Sequence, residues 1–323
     1  MNCLLPTPKG ISDVMTLNRK TLVFASATAT VVSAVSPTLA HDITGTFLTE
    51  RSATCADYAA EHTASATDIF TQQNHSAKVS ITTDGKTCTI ASNAVPNHDF
   101  NTVEGFFHGF EPQDQTYTIT ATPTATETPT PLTLGIDNAV FLNGVKLDLV
   151  AAGCYGVQDG LFGCFDMTIP YRYDPMGTGS SQFGADSHNA HTQPDGLYHC
   201  HGNPVALFEQ ENPTSASPVI GFAADGFPIF GSYIEDTGTI RAATTSYRLK
   251  SGTRPDGDEG PGGVYDGTYV DDWEFVEGLG DLDQCNSMYK NGVYGYVVTA
   301  TYPHVMGCFS GTPHPSFTKQ RPE

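Results

Sequence analysis

The sequence predicts a mainly β protein, sandwich-like or irregular, with long Gly/Pro-rich loops and disulfide staples. Three observations predict it. Charged residues make up 15% of the 323, far below the roughly 25% of an average soluble domain, so helical bundles lack the charged faces they need. Gly and Pro number 32 and 21, which punctuates the chain with turns. Apolar residues come in short alternating runs, and no window sustains a 3.6-residue period. At 39% hydrophobic the chain still has ample material for a core.

The elements follow in order. Residues 15–40 read as an export signal, with Arg19-Lys20 as the positive end, Thr21 to Val35 as a weakly apolar stretch and Thr38-Leu39-Ala40 as a small-x-small cleavage site. Met15 is the better start, since residues 1–14 have no signal character. Cleavage after Ala40 would put His41 first, with an amine and an imidazole on one residue, as in a copper histidine brace. The competing reading gives the first residue no meaning. Residues 41–92 form an N-terminal β extension. Within it Asp57 to Phe70 is expected as a short helix held by Cys55, and Ala77 to Ile90 as a hairpin turning at Asp84-Gly85. The Thr-Pro run at 121–133 reads as an extended connection, and Ile136 to Val150 as strand with a turn at Asn143-Gly144. From residue 153 onward Gly, Pro, Asp and aromatics dominate, and loops are expected.

The balance of 15 Lys+Arg against 35 Asp+Glu gives a formal charge of −20. Such a surface repels phosphate backbones and anionic membranes, so nucleic-acid binding is excluded and cations are attracted. Export, to the periplasm or the medium, removes Cys3 and leaves seven cysteines in an oxidising compartment, where pairing is expected. Proximity favours Cys154–Cys164 and Cys285–Cys308, with Cys55–Cys88 bridging the N-terminal part, although sequence alone leaves other pairings open. Cys200, between two histidines, is then the odd one.

The informative stretch is Asp186 to His201, with four of the 11 histidines. If Leu197 to Gly202 is a strand, His199 and His201 project from one face, because side chains alternate with period 2. Pro194-Asp195-Gly196 is strong turn chemistry, and a hairpin centred on Asp195 sets His191 opposite His199 on the same face. His188 then falls on the other face, and Cys200 and Tyr198 point away from the patch. Three neutral imidazoles with an open fourth position suit copper or zinc. The alternative is a His-rich turn whose rings are satisfied or solvated.

Asp195-Gly196-Leu197-Tyr198-His199-Cys200-His201-Gly202-Asn203-Pro204 resembles the signature of the YHYH-domain family of secreted proteins. Val219 to Gly231, Tyr247 to Gly252, Gly262 to Tyr269, Glu277 to Asn286 and Tyr302 to Gly311 resemble the same family, in the same order. The resemblance runs from about residue 93 to 315, leaving 316–323 as a tail, and implies a secreted or surface protein with a histidine site. It departs at Cys200, where the second Tyr of the signature is expected. Val95 to Asp99 also looks familial, which makes His98 a candidate fourth ligand. Asp225, in a Gly/Pro-rich loop, is a candidate ligand, a carboxylate orienting an imidazole, or a turn residue.

Acidic residues cluster in the C-terminal third, from Asp256 to Asp283, where calcium could sit. Asp256 to Gly260 lacks the EF-hand spacing, and a solvated acidic face is the plainer expectation. No Gly-x-Ser-x-Gly elbow, phosphate loop, dinucleotide fingerprint or His-Glu-x-x-His helix is present. Three functions compete. The first is an exported transition-metal-binding protein, copper before zinc, extending to a copper oxidoreductase, whose partners are the metal ion and an unidentified small molecule or surface. The second is a zinc-dependent hydrolase. The third is a disulfide-stapled surface or adhesion domain with incidental histidines or Ca²⁺. Copper is preferred because no Glu is placed as a hydrolytic base.

Overall fold

The first sheet is a meander whose strands each bury alternate residues. A computed structural model describes residues 40–178, 184–290 and 292–319; all of the expected export segment before Ala40 lies outside them. β2 (Ala60–Asp68), β3 (Gln73–Thr83), β4 (Thr87–Ser92) and β5 (Gln115–Thr120) run antiparallel, and a two-residue strand, β1 (His41–Asp42), lies parallel beside β2 at the edge. Ala64 and Ala66, Ala77, Val79 and Ile81, Cys88 and Ile90, and Tyr117 and Ile119 supply the buried face, as a period-2 pattern requires. The turn from β3 to β4 falls at Asp84-Gly85 as expected, with the Asp84 carboxylate accepting from the backbone N–H groups of Lys86 and Thr87 at 2.8 and 2.7 Å.

The helix expected over Asp57 to Phe70 is not formed. Only Cys55–Tyr58 make a 3-10 turn, and Ala60–Asp68 are strand β2. Ala64, Ala66 and Asp68 point inward at every second position, so pairing with β3 prevails over the weak helical preference of this Ala-rich stretch.

The next strands are β6 (Thr130–Pro131), β7 (Ala139–Phe141), β8 (Lys146–Leu147), β9 (Ala190–Thr192), β10 (Tyr198–Cys200), β11 (Val219–Ala223) and β12 (Pro228–Phe230). They are followed by β13 (Tyr233–Asp236), β14 (Thr239–Ala242), β15 (Tyr247–Leu249), β16 (Trp273–Phe275), β17 (Ser287–Lys290), β18 (Val293–Val297) and β19 (Cys308–Phe309). Eight of them form one mixed sheet in the order β17-β18-β12-β11-β7-β8-β10-β9. Short two-stranded ribbons, β13 with β14, β15 with β16, and β19 with β6, complete the fold. Among the described residues there is no α-helix.

One hydrophobic cluster joins both sheets, from Ala64, Val79 and Ile90 of the first to Phe141, Leu147, Tyr198, Phe222, Ile229 and Tyr296 of the second. Gly144, in the turn between β7 and β8, has φ +81°, and a Cβ there would lie 2.1 Å from Ser92 Oγ. Glycine is therefore required at this contact between the sheets. The disulfides are Cys55–Cys88, Cys154–Cys164 and Cys285–Cys308, and Cys200 is free and buried. No helix among the described residues is long and apolar enough to cross a membrane.

Candidate metal centre

The β9–β10 hairpin sits at one edge of the large sheet. Its register is Tyr198↔Thr192, His199↔His191 and Cys200↔Ala190, as a turn centred on Asp195 predicts. Gly196 closes that turn with φ +82°, and a Cβ there would meet the Glu111 backbone nitrogen at 2.8 Å. On its other side β10 pairs in parallel with β8, placing Lys146 beside His199 and Leu147 beside Cys200. Directly paired residues share a face. His191, His199 and Lys146 therefore stand on one side of the sheet, and His201 follows two positions on.

The three rings converge. Their centroids are 4.8 Å (His191–His199), 4.7 Å (His191–His201) and 4.5 Å (His199–His201) apart. The ligand atoms of the three lie within 4.8 Å of one another. The Nε2 atoms of His191 and His201 are 3.0 Å apart, and two nitrogens each about 2.0–2.1 Å from one ion, at an angle of about 90–100°, would lie roughly 3 Å apart. His199 directs Nδ1 to the Leu197 carbonyl at 3.3 Å, which leaves its Nε2 as the ligand atom. His199 and His201 are 2% and 7% exposed, whereas His191, on the edge strand, is only partly buried. Of the three rings, His191 alone is partly exposed.

Burial keeps His199 and His201 neutral. His199 is pushed well below the ordinary histidine value by burial first, then by His201, His191 and Lys146. His201 is pushed down to about 3, again by burial first and then His191. Neutral imidazole is the form that binds a metal. Behind the triad runs a buried ion network. Lys146 Nζ lies 2.7 Å from Asp137 and 3.7 Å from Asp148, and Lys319 Nζ 2.5 Å from Asp148 and 3.7 Å from Asp137. Burial alone would lower the Lys146 ammonium, but Asp148 and Asp137 outweigh it and hold it above its ordinary value. The Asp148 charge opposes the depression of His201.

Sequence reasoning missed this network, because its members span residues 137 to 319. The one available signal was a pair of charges, Lys146 and Asp148, inside the otherwise apolar stretch Val145 to Val150.

His98 and Asp225 stand elsewhere. The ring of His98 is 3.9 Å from that of His188 and 6.4 Å from that of Tyr198, on the side of β10 opposite the triad, and its Nδ1 donates to the Asp99 carbonyl at 2.9 Å. Asp225 is 2% exposed and its carboxylate accepts from Tyr296 Oη (2.5 Å), Gly311 N (2.9 Å) and Phe227 N (3.3 Å). These bonds tie β11 to β18 and to the chain beyond β19. Several of the C-terminal carboxylates are likewise engaged. Asp272 takes two hydrogen bonds from Arg254, and Asp281 two from Arg241. Asp283 accepts from Tyr294 and from the backbone of Cys285 and Ser287. Among the described residues the histidine triad alone brings three or more such ligand side chains close enough to hold one ion.

Fold and site together define a mainly β, disulfide-bonded protein with a three-histidine cluster on a sheet edge, a cluster that could hold a metal ion. A family profile described as "YHYH protein" matches residues 116–311, so the chain belongs to the YHYH family. In this chain Tyr198, His199, Cys200 and His201 fill the signature, with the two histidines on the triad face and Tyr198 and Cys200 in the core. No curated protein and no solved structure matches the chain.

Proposed function

We propose that this protein is exported and binds one transition-metal ion, copper in preference to zinc, through His191, His199 and His201. The convergence of three imidazoles, two of them buried and neutral, carries this reading. Centroid separations of 4.5–4.8 Å bring the three rings close enough to share one ion, and an all-imidazole set suits copper as well as zinc. The carboxylate that acts on His201, Asp148, is paired with Lys319 and Lys146. It is therefore poorly placed as the free general base a hydrolytic zinc site would need. Bound copper would supply one-electron chemistry, and the chain's own part is to hold the three nitrogens in place. Three disulfides in a chain with an export-like segment at residues 15–40 support an oxidising compartment.

Elemental analysis of protein purified from its natural compartment tests the proposal. His199→Ala/His201→Ala is expected to hold one equivalent of copper less than the parent protein, and His98→Ala the same amount as the parent. A metal-free protein that also fails to take up copper or zinc in titration rejects it. One equivalent of zinc in place of copper rejects the metal preference while keeping the site.

A further inference from the structure

We infer that the mature protein carries a second cation site of copper type, separate from the triad, built from the α-amine and imidazole of His41 together with the imidazole of His62. This inference rests on the export reading above, because the amine exists only after cleavage behind Ala40. It does not depend on the triad.

Strand β1 places the two histidines. His41 pairs with His62, and Asp42 with Thr63, in parallel register. Parallel partners present their side chains on the same face, and the ring centroids lie 6.0 Å apart. An imidazole centroid is about 1.1 Å from its ring nitrogens, so two rings facing each other across an ion held at about 2.0–2.1 Å sit roughly 6–6.4 Å apart. The observed spacing matches that of two ligands on opposite sides of one ion.

His62 has what a ligand needs. It occupies an inward-facing position of β2, and its Nδ1 is buried without a hydrogen-bond partner. A buried polar atom left unsatisfied costs free energy unless something takes it up. Burial, and secondarily His41, lowers its pKa, so the ring is neutral at physiological pH. His41 is exposed on the edge strand, where an ion can reach it. Once it is the first residue, its amine and imidazole form a six-membered chelate, and His62 adds a third nitrogen from the other side.

The terminus is also held in place, as a chelate requires. Ile43 N donates to Thr63 O at 2.8 Å and Gly45 N to Asn97 O at 2.7 Å, and Asp42 accepts from Thr44 N and Oγ1 at 2.9 and 2.7 Å. Ile43 packs against the core. Beside His62 lies a cleft of about 200 Å³, lined by Phe47, Glu50, Tyr58 and Leu142 among others.

The test compares two forms of the protein. One begins at His41, released from a fusion that leaves no extra residue; the other retains Ser36 to Ala40 ahead of it, which leaves every side chain intact, turns the His41 amine into an amide and keeps the new terminal amine too far along the chain to chelate with the His41 imidazole. Copper(II) is titrated into each and followed by calorimetry and paramagnetic resonance. The His41-first form is expected to bind one equivalent more than the Ala40-retaining form, with a nitrogen-rich signal, and His62→Ala is expected to weaken that equivalent by roughly two orders of magnitude. His199→Ala/His201→Ala should leave it untouched. Equal stoichiometry in the two forms overturns the inference, as does a His62→Ala protein of unchanged affinity. N-terminal sequencing of the exported protein must return His41; any other first residue overturns it too. If the triad itself takes no metal, the His41-first form still binds one equivalent and the Ala40-retaining form none.

Discussion

His199 and His201 are neutral because the fold denies their charged forms water, and this has a pH consequence in the metal-free protein. Both have folded pKa values below the ordinary 6.5, His201 at about 3. Below pH 6.5 the unfolded chain therefore binds protons that the folded chain refuses. Stability rises with pH across the window from about 3 to 6.5 and falls on acidification, by up to about 1.4 kcal/mol per histidine per pH unit. Urea unfolding of the metal-free protein at pH 7 and pH 5.5 should show a midpoint that drops by the equivalent of about 2 kcal/mol from these two rings; an unchanged midpoint contradicts their burial. Lys146 makes the complementary case. Its ammonium is buried against Asp137 and Asp148, so Lys146→Ala leaves two carboxylates short of a counter-charge and should cost about 3–5 kcal/mol. Chemical denaturation checks it, and a loss below 1 kcal/mol would mean that water screens the network.

At the scale of elements, the triad is a product of one hairpin. The turn Pro194-Asp195-Gly196 sets the register, and the register sets which histidines share a face, since a one-residue slip would send His191 to the opposite side. Gly196→Ala places a side chain at φ +82° and 2.7–2.8 Å from Glu111 atoms. The expected outcome is a loss of about 1–3 kcal/mol in stability and a weakened metal equivalent, read by calorimetry. Retention of full affinity would show that the hairpin tolerates a shifted turn. This much of the site was legible in the sequence, because period-2 alternation and turn chemistry are local rules that act within 12 residues. The ion network behind it was not, since Asp137, Lys146, Asp148 and Lys319 meet only when β8 pairs with β10 and the chain end returns beside them. The stretch from Asp57 to Phe70 shows the converse. Its local preference pointed to a helix, and the edge of β3 took it as a strand.

For the whole molecule, stability leans on cross-links as well as on the core. The three disulfides separate their cysteines by 33, 10 and 23 residues, for which loop-closure entropy gives about 3–4 kcal/mol each. Reduction in mild denaturant should lower the unfolding midpoint steeply, while Cys200, buried in the core, should resist thiol reagents until the protein unfolds. Rapid labelling of one thiol in the native oxidised protein would place Cys200 at the surface instead.

The sequence by itself determined the β class, the hairpin register that lines up His191 with His199, and the cysteine pairs closest along the chain. Each depends on side-chain alternation, turn residues or short separations, which are properties of neighbouring residues. Tertiary structure alone decided that His199 and His201 would be buried and neutral, that Lys146 and Asp148 would stand behind them, that His98 would face His188, and that His41 would lie beside His62. Those outcomes depend on which strands become neighbours in a sheet, and burial and electrostatics exist only once distant segments have excluded water between them.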